Sequence, residues 1–126
     1  VAQVNALDKA IHMGVEDLYS ATNFLNDNAA ELGINPSNIV IAGSSAGAII
    51  AMQAEYEICN GTSWTEVLPE GFRYAGVMSF SGAILSREGK VDYRLHSPAP
   101  TLMLHGTADE LVPYKQIRFF NRCIAI

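Results

Sequence analysis

Strands alternating with helices around a mostly parallel sheet, an α/β domain, are what this sequence predicts, and three observations carry the prediction. A long amphipathic stripe opens the chain, with Val4, Leu7, Ile11, Val15, Leu18, Thr22, Leu25, Ala29 and Leu32 recurring at three and four residues. Short apolar runs then follow at Asn38–Ala42, Arg73–Phe80 and Thr101–His105. The first two runs are separated by a second helix-like stretch, which is the spacing of a parallel crossover.

The opening stripe predicts one helix from Val4 to Leu32. Gly33 stops it, because glycine enters the left-handed region without a Cβ clash, and Pro36 prevents continuation. The run NIVIA at Asn38–Ala42 is rich in β-branched residues and suits a parallel strand buried on both faces. Ala48–Ile58 reads as helix and ends at Asn60-Gly61. Asn60–Gly71 reads as a loop, and Gly82–Pro100 as an irregular link without a helical period. Thr101–His105 follows Pro98 and Pro100 as a third strand. Tyr114–Ile124 reads as a last helix entered through Pro113. No boundary or repeat divides residues 1–126, so they form a single domain or part of one.

Composition narrows the function. The chain has 126 residues, 49% of them hydrophobic and 17% charged, with a net charge of −5. No basic stripe exists, so nucleic acid is not an expected partner. No apolar run approaches the roughly 20 residues of a membrane span. Cys59 and Cys123 lie far apart in sequence and read as free thiols rather than a disulfide framework or zinc ligands. The start VAQVNALDKA lacks the pattern of a signal peptide, and Val1 suggests that the natural start lies upstream, so the compartment is left open.

The chemistry is concentrated in Gly43-Ser44-Ser45-Ala46-Gly47, a G-x-S-x-G match with a buried strand running in and a small-residue helix running out. Such a turn is sharp enough to strain the serine backbone and lift its Oγ above the sheet edge. Cβ atoms two residues to either side would crowd it, which accounts for Gly43 and Gly47. The Ala46 N–H, at the helix start, can donate to a developing oxyanion. A plain connecting turn or a phosphate cradle is the bland reading, but there is no P-loop lysine and the glycines are not spaced G-x-G-x-x-G. The second signal is LHGTADELVP, residues 104–113. Here a strand ends at His105, Gly106 turns the chain, and Asp109 follows at the edge where parallel sheets build their sites. An acid there can hold a histidine's Nδ1–H. A surface capping aspartate is the bland alternative, and Glu110 is the runner-up acid.

These residues carry a family resemblance. ELGINPSNIVIAGSSAGA resembles the approach to the nucleophile elbow of α/β-hydrolases, and LHGTADELVP resembles their acid-bearing loop. The chain is similar to the middle of an esterase/lipase of the acetyl-esterase or hormone-sensitive-lipase-like kind. The resemblance implies the three-layer α/β-hydrolase fold and a partial domain holding the family's fifth, sixth and seventh strands. It implies a serine hydrolase that cleaves small carboxylic esters through an acyl-enzyme, without metal or organic cofactor. Ser45 would be the nucleophile, Ala46 an oxyanion donor and Asp109 the triad acid. Ser44 stands where such enzymes often have an acidic residue. The family's base histidine follows the acid, yet no histidine follows Asp109 here. The upstream glycine-rich loop that supplies a second oxyanion donor has no match either. The 126 residues alone are therefore expected to be inactive, and to expose edges of the first and third strands that invite self-association.

Other features keep bland readings. His105 resembles a non-catalytic family histidine, His12 lies on the opening helix, and His96 lies in the link. Trp64 could wall a substrate pocket or cap the core. Asn60-Gly61-Thr62 fits a glycosylation sequon but reads more simply as a helix stop, and Ser81-Gly82 follows the second strand and could line the site. Two rivals remain. One is a serine peptidase of the prolyl-oligopeptidase type, against which Ala46 after the serine argues mildly. The other is a non-catalytic hydrolase-like binding module.

Overall fold

The structure, a computed structural model, describes residues 2–62, 67–84, 93–114 and 123–125. Its order is α1 (Ala2–Asp27), α2 (Ala29–Leu32), a 3-10 turn (Pro36–Asn38), β1 (Val40–Ser44), α3 (Ala46–Asn60), β2 (Gly76–Phe80), β3 (Thr101–His105) and β4 (Cys123–Ala125). The strands form one sheet in the order β1-β2-β3-β4, and every neighbouring pair is parallel.

The opening stripe forms two helices rather than one. At Asn28 the chain leaves helical geometry (ψ 14°), and the Asn28 amide donates to the Phe24 carbonyl. Asparagine competes in this way with the helix's own hydrogen bonds. Gly33 ends α2 in the left-handed region at φ 67°, with the Ile34 N–H returning to the Ala29 carbonyl. Asn35 then accepts from the Ser37 N–H and starts the 3-10 turn, with Pro36 at its first position.

Helix α3 lies between α1 and the sheet. Its alanines at 48, 51 and 54 are buried and allow close approach on both sides. Gly14 of α1 is equally specific, because a Cβ there would run into the Ile50 side chain. Ile11, Val15 and Tyr19 from α1, Met52 and Ile58 from α3, and Ile41, Val77 and Met103 from the sheet make one core. Only the middle of the opening stripe is buried, and Leu7 and Leu32 at its ends are exposed.

Several expectations change. The first strand runs from Val40 to Ser44, later than Asn38–Ala42, and it is not buried on both faces. Ile41 is buried, but Val40 on the opposite face is 51% exposed, because the described helices cover one face of the sheet only. The expected third layer is thus not found among the described residues. Cys123–Ala125 is a strand, not the end of a helix: it pairs with Met103–His105, and that ladder outweighs any local helical preference. Residues 115–122 of the expected helix lie outside the described residues. The outer edge of β3, expected to be open, is therefore occupied by β4, and three expected strands become four.

Candidate active site

The turn from β1 to α3 holds Ser45 at φ 52° and ψ −118°. Such a backbone is sparsely populated for a residue with a Cβ and costs on the order of 1–3 kcal/mol. It is held from both sides: the Ser45 N–H donates to the Phe80 carbonyl at 2.8 Å, and its carbonyl accepts from Ile49 at 3.0 Å. The side chain is exposed and does not cap α3. Ala46 is the first residue of α3, where backbone N–H groups lack intrahelical partners. The dipole of this 15-residue helix adds partial positive charge at the same place.

The two glycines are not equivalent. A Cβ on Gly43 would overlap the Gly47 carbonyl and reach 2.5 Å from the Ala48 nitrogen. Gly43 is therefore required by the passing helix. A Cβ on Gly47 would meet nothing within 4 Å. The crowding expected at both positions holds for Gly43 alone.

Asp109 lies on the turn after β3, with its N–H donating to the Gly106 carbonyl at 3.1 Å. Its Oδ1 accepts from the Val112 N–H at 2.9 Å and the Leu111 N–H at 3.0 Å. The Val112 N–H holds the carboxyl below its usual range against an opposing desolvation, and Leu111, His105 and Ser81 add to the lowering. The group is ionised at neutral pH, as an imidazole partner would require. Glu110 is exposed.

Ser45 and Asp109 share the C-terminal edge of the parallel sheet, after β1 and β3, with β2 between them. Two ladder steps correspond to about 9–10 Å between strand axes. Ser81, the residue after β2, stands at φ 55°. Among the described residues, Ser45 and Ser81 are the two non-glycine positions with positive φ, and both stand at this edge.

The histidines lie elsewhere. The His105 side chain is fully buried, and its Nε2 donates to the Val112 carbonyl at 2.6 Å. Nε2 is also 3.4 Å from Asp109 Oδ2, while Nδ1 is buried without a hydrogen-bond partner. This ring fastens the loop that carries Asp109 to the end of β3. His12 on α1 faces Asp8 and Glu57, and His96 is exposed. Trp64 lies outside the described residues. The Asn60 amide donates to the Tyr56 carbonyl and accepts from the Arg94 N–H, so it is engaged at the helix end. Burial pushes the Cys59 thiol up to about 12, with Glu55 adding to it, which leaves it protonated and inert.

Sequence reading underweighted two features. Ser81 takes a positive φ of 55°, which no spacing of its neighbours announces. The polar layer under α3 was also missed. There Glu55 accepts from the Ala99 N–H at 2.7 Å and the Cys59 thiol at 3.3 Å, and Glu57 accepts from the Gln53 amide at 3.0 Å. Two glutamates on the mostly apolar helix 46–60 were its available signal. Among the described residues no cluster of three His, Cys, Asp or Glu could hold a metal, and no helix is long and apolar enough to cross a membrane.

A family model described as alpha/beta hydrolase fold matches residues 5–98, a stretch that includes Ser45 and ends short of Asp109. Carboxylesterase NlhH of Mycobacterium tuberculosis is 47% identical over 38 residues, which are 30% of this chain and 12% of that protein. Among solved structures, native esterase 2 of Thermogutta terrifontis aligns with a TM-score of 0.62 and 28% identity, covering 89% of this chain and 51% of the esterase. The same esterase phosphoramylated by tabun aligns with a TM-score of 0.63 at 28% identity, over the same shares. The chain belongs to the α/β-hydrolase family, as a partial domain of the carboxylesterase type. It spans about half the length of the esterase structures it matches.

Proposed function

We propose that the full protein is a serine hydrolase that cleaves small carboxylic esters. The observation that carries this reading is the strained, exposed Ser45 at the β1–α3 turn, with the ionised Asp109 two strands along the same edge. Ser45 Oγ attacks the ester carbonyl while an imidazole takes its proton. The Ala46 N–H at the α3 start stabilises the tetrahedral oxyanion. The imidazolium returns the proton to the leaving alcohol, and water then releases the acyl group by the same steps in reverse. Asp109 orients and charge-stabilises that imidazole. On this reading the base and a second oxyanion donor come from outside these 126 residues: the His105 ring is buried against the Val112 carbonyl, and His12 faces Asp8 and Glu57 on α1. The mechanism requires no metal or organic cofactor.

The relatives support this reading. They are named esterases, and one is recorded as modified by organophosphorus compounds, tabun and cyclosarin. Nothing at the Ser45 edge favours a peptidase or a binding module. The test is hydrolysis of short p-nitrophenyl esters by the full protein and its Ser45→Ala variant. Turnover that disappears in the variant supports the reading, and unchanged turnover overturns it.

A further inference from the structure

The turn that carries Asp109 has little packing of its own. Gly106, Thr107, Ala108 and Glu110 are exposed, and Leu111 is 94% exposed. Its hydrogen bonds run within the turn. The Asp109 N–H donates to the Gly106 carbonyl at 3.1 Å, and Asp109 Oδ1 accepts from the Leu111 and Val112 N–H groups at 3.0 and 2.9 Å. These bonds set the shape of the turn, but they do not tie it to the sheet.

His105, the last residue of β3, does so. Its backbone pairs with Ala125 of β4 and its side chain is fully buried, so the ring stands on a fixed base. Nε2 lies 2.6 Å from the Val112 carbonyl oxygen and 3.4 Å from Asp109 Oδ2. A carbonyl oxygen only accepts, so Nε2 is the nitrogen that carries the proton. Val112 is thereby held at both ends: its carbonyl accepts from the ring, and its N–H donates to the acid. Pro113 follows and keeps Val112 away from helical backbone, which limits how far this link can swing. The Tyr114 ring stands beside the imidazole, with centroids 6.3 Å apart.

We propose that His105 is a positioning residue for Asp109: its buried ring, bonded to the Val112 carbonyl, holds the carboxylate at the sheet edge in the orientation that receives the base imidazole. This rests on the reading of Asp109 as the triad acid. The buried ring touches neither substrate nor the reacting atoms, so it acts through Val112 and Asp109.

The test compares His105→Phe and His105→Gln in the full protein, with a p-nitrophenyl ester as substrate. Phenylalanine keeps a ring but has no donor. Glutamine places an amide N–H as many bonds from Cβ as Nε2 is, and so can still donate to Val112. His105→Phe is expected to lose about tenfold in kcat, the scale of one hydrogen bond, with KM within about twofold. The acid limb of its kcat/KM profile should move to lower pH by about half a unit, because a displaced carboxylate stabilises the imidazolium less. His105→Gln should stay within about threefold of wild type with the limb unmoved. Should the phenylalanine variant not fold, His105→Asn takes its place, since its amide ends one bond short of Nε2, and the same loss and shift are expected. Wild-type kcat in the variant without the donor would overturn the proposal. Glutamine as impaired as that variant, or losses that follow melting temperature with the limb unmoved, would assign the ring a packing role and overturn it too. Asp109→Asn separates the two readings. It should cost about 10⁴ in kcat, and adding His105→Phe to it should cost little more, because the ring would have no carboxylate left to position. If Asp109→Asn is severe and the His105 variants are unimpaired, the acid reading stands and the His105 proposal fails. If Asp109→Asn is fully active, both fail.

Discussion

At the C-terminal edge of the sheet, polar side chains face outwards on strained backbone, whereas between α1, α3 and β2 they are buried on regular helices. Ser45 and Ser81 hold φ values of 52° and 55° at the edge. The inner layer has no such angle among its described residues. It has instead hydrogen bonds between elements: the Tyr19 hydroxyl donates to the Ala54 carbonyl at 2.9 Å, and Thr22 and Tyr74 share a hydroxyl bond at 2.7 Å. Burial raises the carboxyl of Glu57 and the hydroxyls of Tyr19 and Tyr74 there. At the edge the opposite holds, and backbone donors lower Asp109. Both regions are polar, but among the described residues the edge is the one that combines an exposed serine on strained backbone with an acid held by backbone donors. Where desolvation dominates, as at Glu57, the charged form is disfavoured. Where N–H groups converge on it, it is kept and is available for chemistry.

The largest expected effect breaks the edge. Ser45→Ala in the full protein should lower kcat for a short ester by about 10⁶ while leaving the melting temperature equal or higher, because the change touches the reaction and not the core. A variant with wild-type turnover would remove the distinction between the two regions. Next comes the glycine pair at the same turn. Gly43→Ala forces a Cβ into the Gly47 backbone and should cost about 2–3 kcal/mol or more, together with activity. Gly47→Ala has room and gains helix propensity, so it should be neutral or stabilising by up to about 1 kcal/mol. Urea melts of both variants check this, and equal losses would mean that α3 passes β1 differently.

Much of this was legible in the residues, and the misses have physical causes. Thr101–His105 was read with its observed ends, because Pro100 precedes it and Gly106 follows it. Gly33 and Gly61 were recognisable stops, and both take the left-handed conformation at a helix end. The break at Asn28 was hidden within a continuous apolar period, since a side-chain bond to the Phe24 carbonyl leaves no mark on periodicity. Strand β4 was read as helix, because three residues become a strand only through a neighbour already in place. The exposure of Val40 was equally invisible, since an apolar run does not say which of its faces is covered. At the edge, the serine turn announces itself by spacing, whereas the positive φ of Ser81 has no such signature.

The inner layer offers smaller, pH-dependent effects. Glu57 has a raised folded pKa, from desolvation first, with the Gln53 amide and His12 opposing. A raised acid favours the folded state while protonated, so this contribution is present at low pH and is lost as pH rises through the folded value. Glu57→Gln should therefore melt a few degrees higher than wild type at pH 8, with the gap closing toward pH 4, in thermal melts across that range. An unchanged gap would mean that Glu57 is ionised and paired with His12 throughout. Smallest is Tyr19→Phe, which removes the donor to the Ala54 carbonyl and should cost about 1 kcal/mol with no change in ester turnover. A loss of turnover there would show that the two regions are coupled.

The most direct measurement is to treat the full protein with a fluorophosphonate and locate the adduct by peptide mass spectrometry. An activated serine at a strained turn is phosphonylated far faster than an ordinary hydroxyl. The account predicts one adduct per chain, on Ser45, with ester hydrolysis lost in proportion to labelling and no adduct in Ser45→Ala. Hydrolysis that persists with Ser45 unmodified, or an adduct on another residue that abolishes it, would contradict the account.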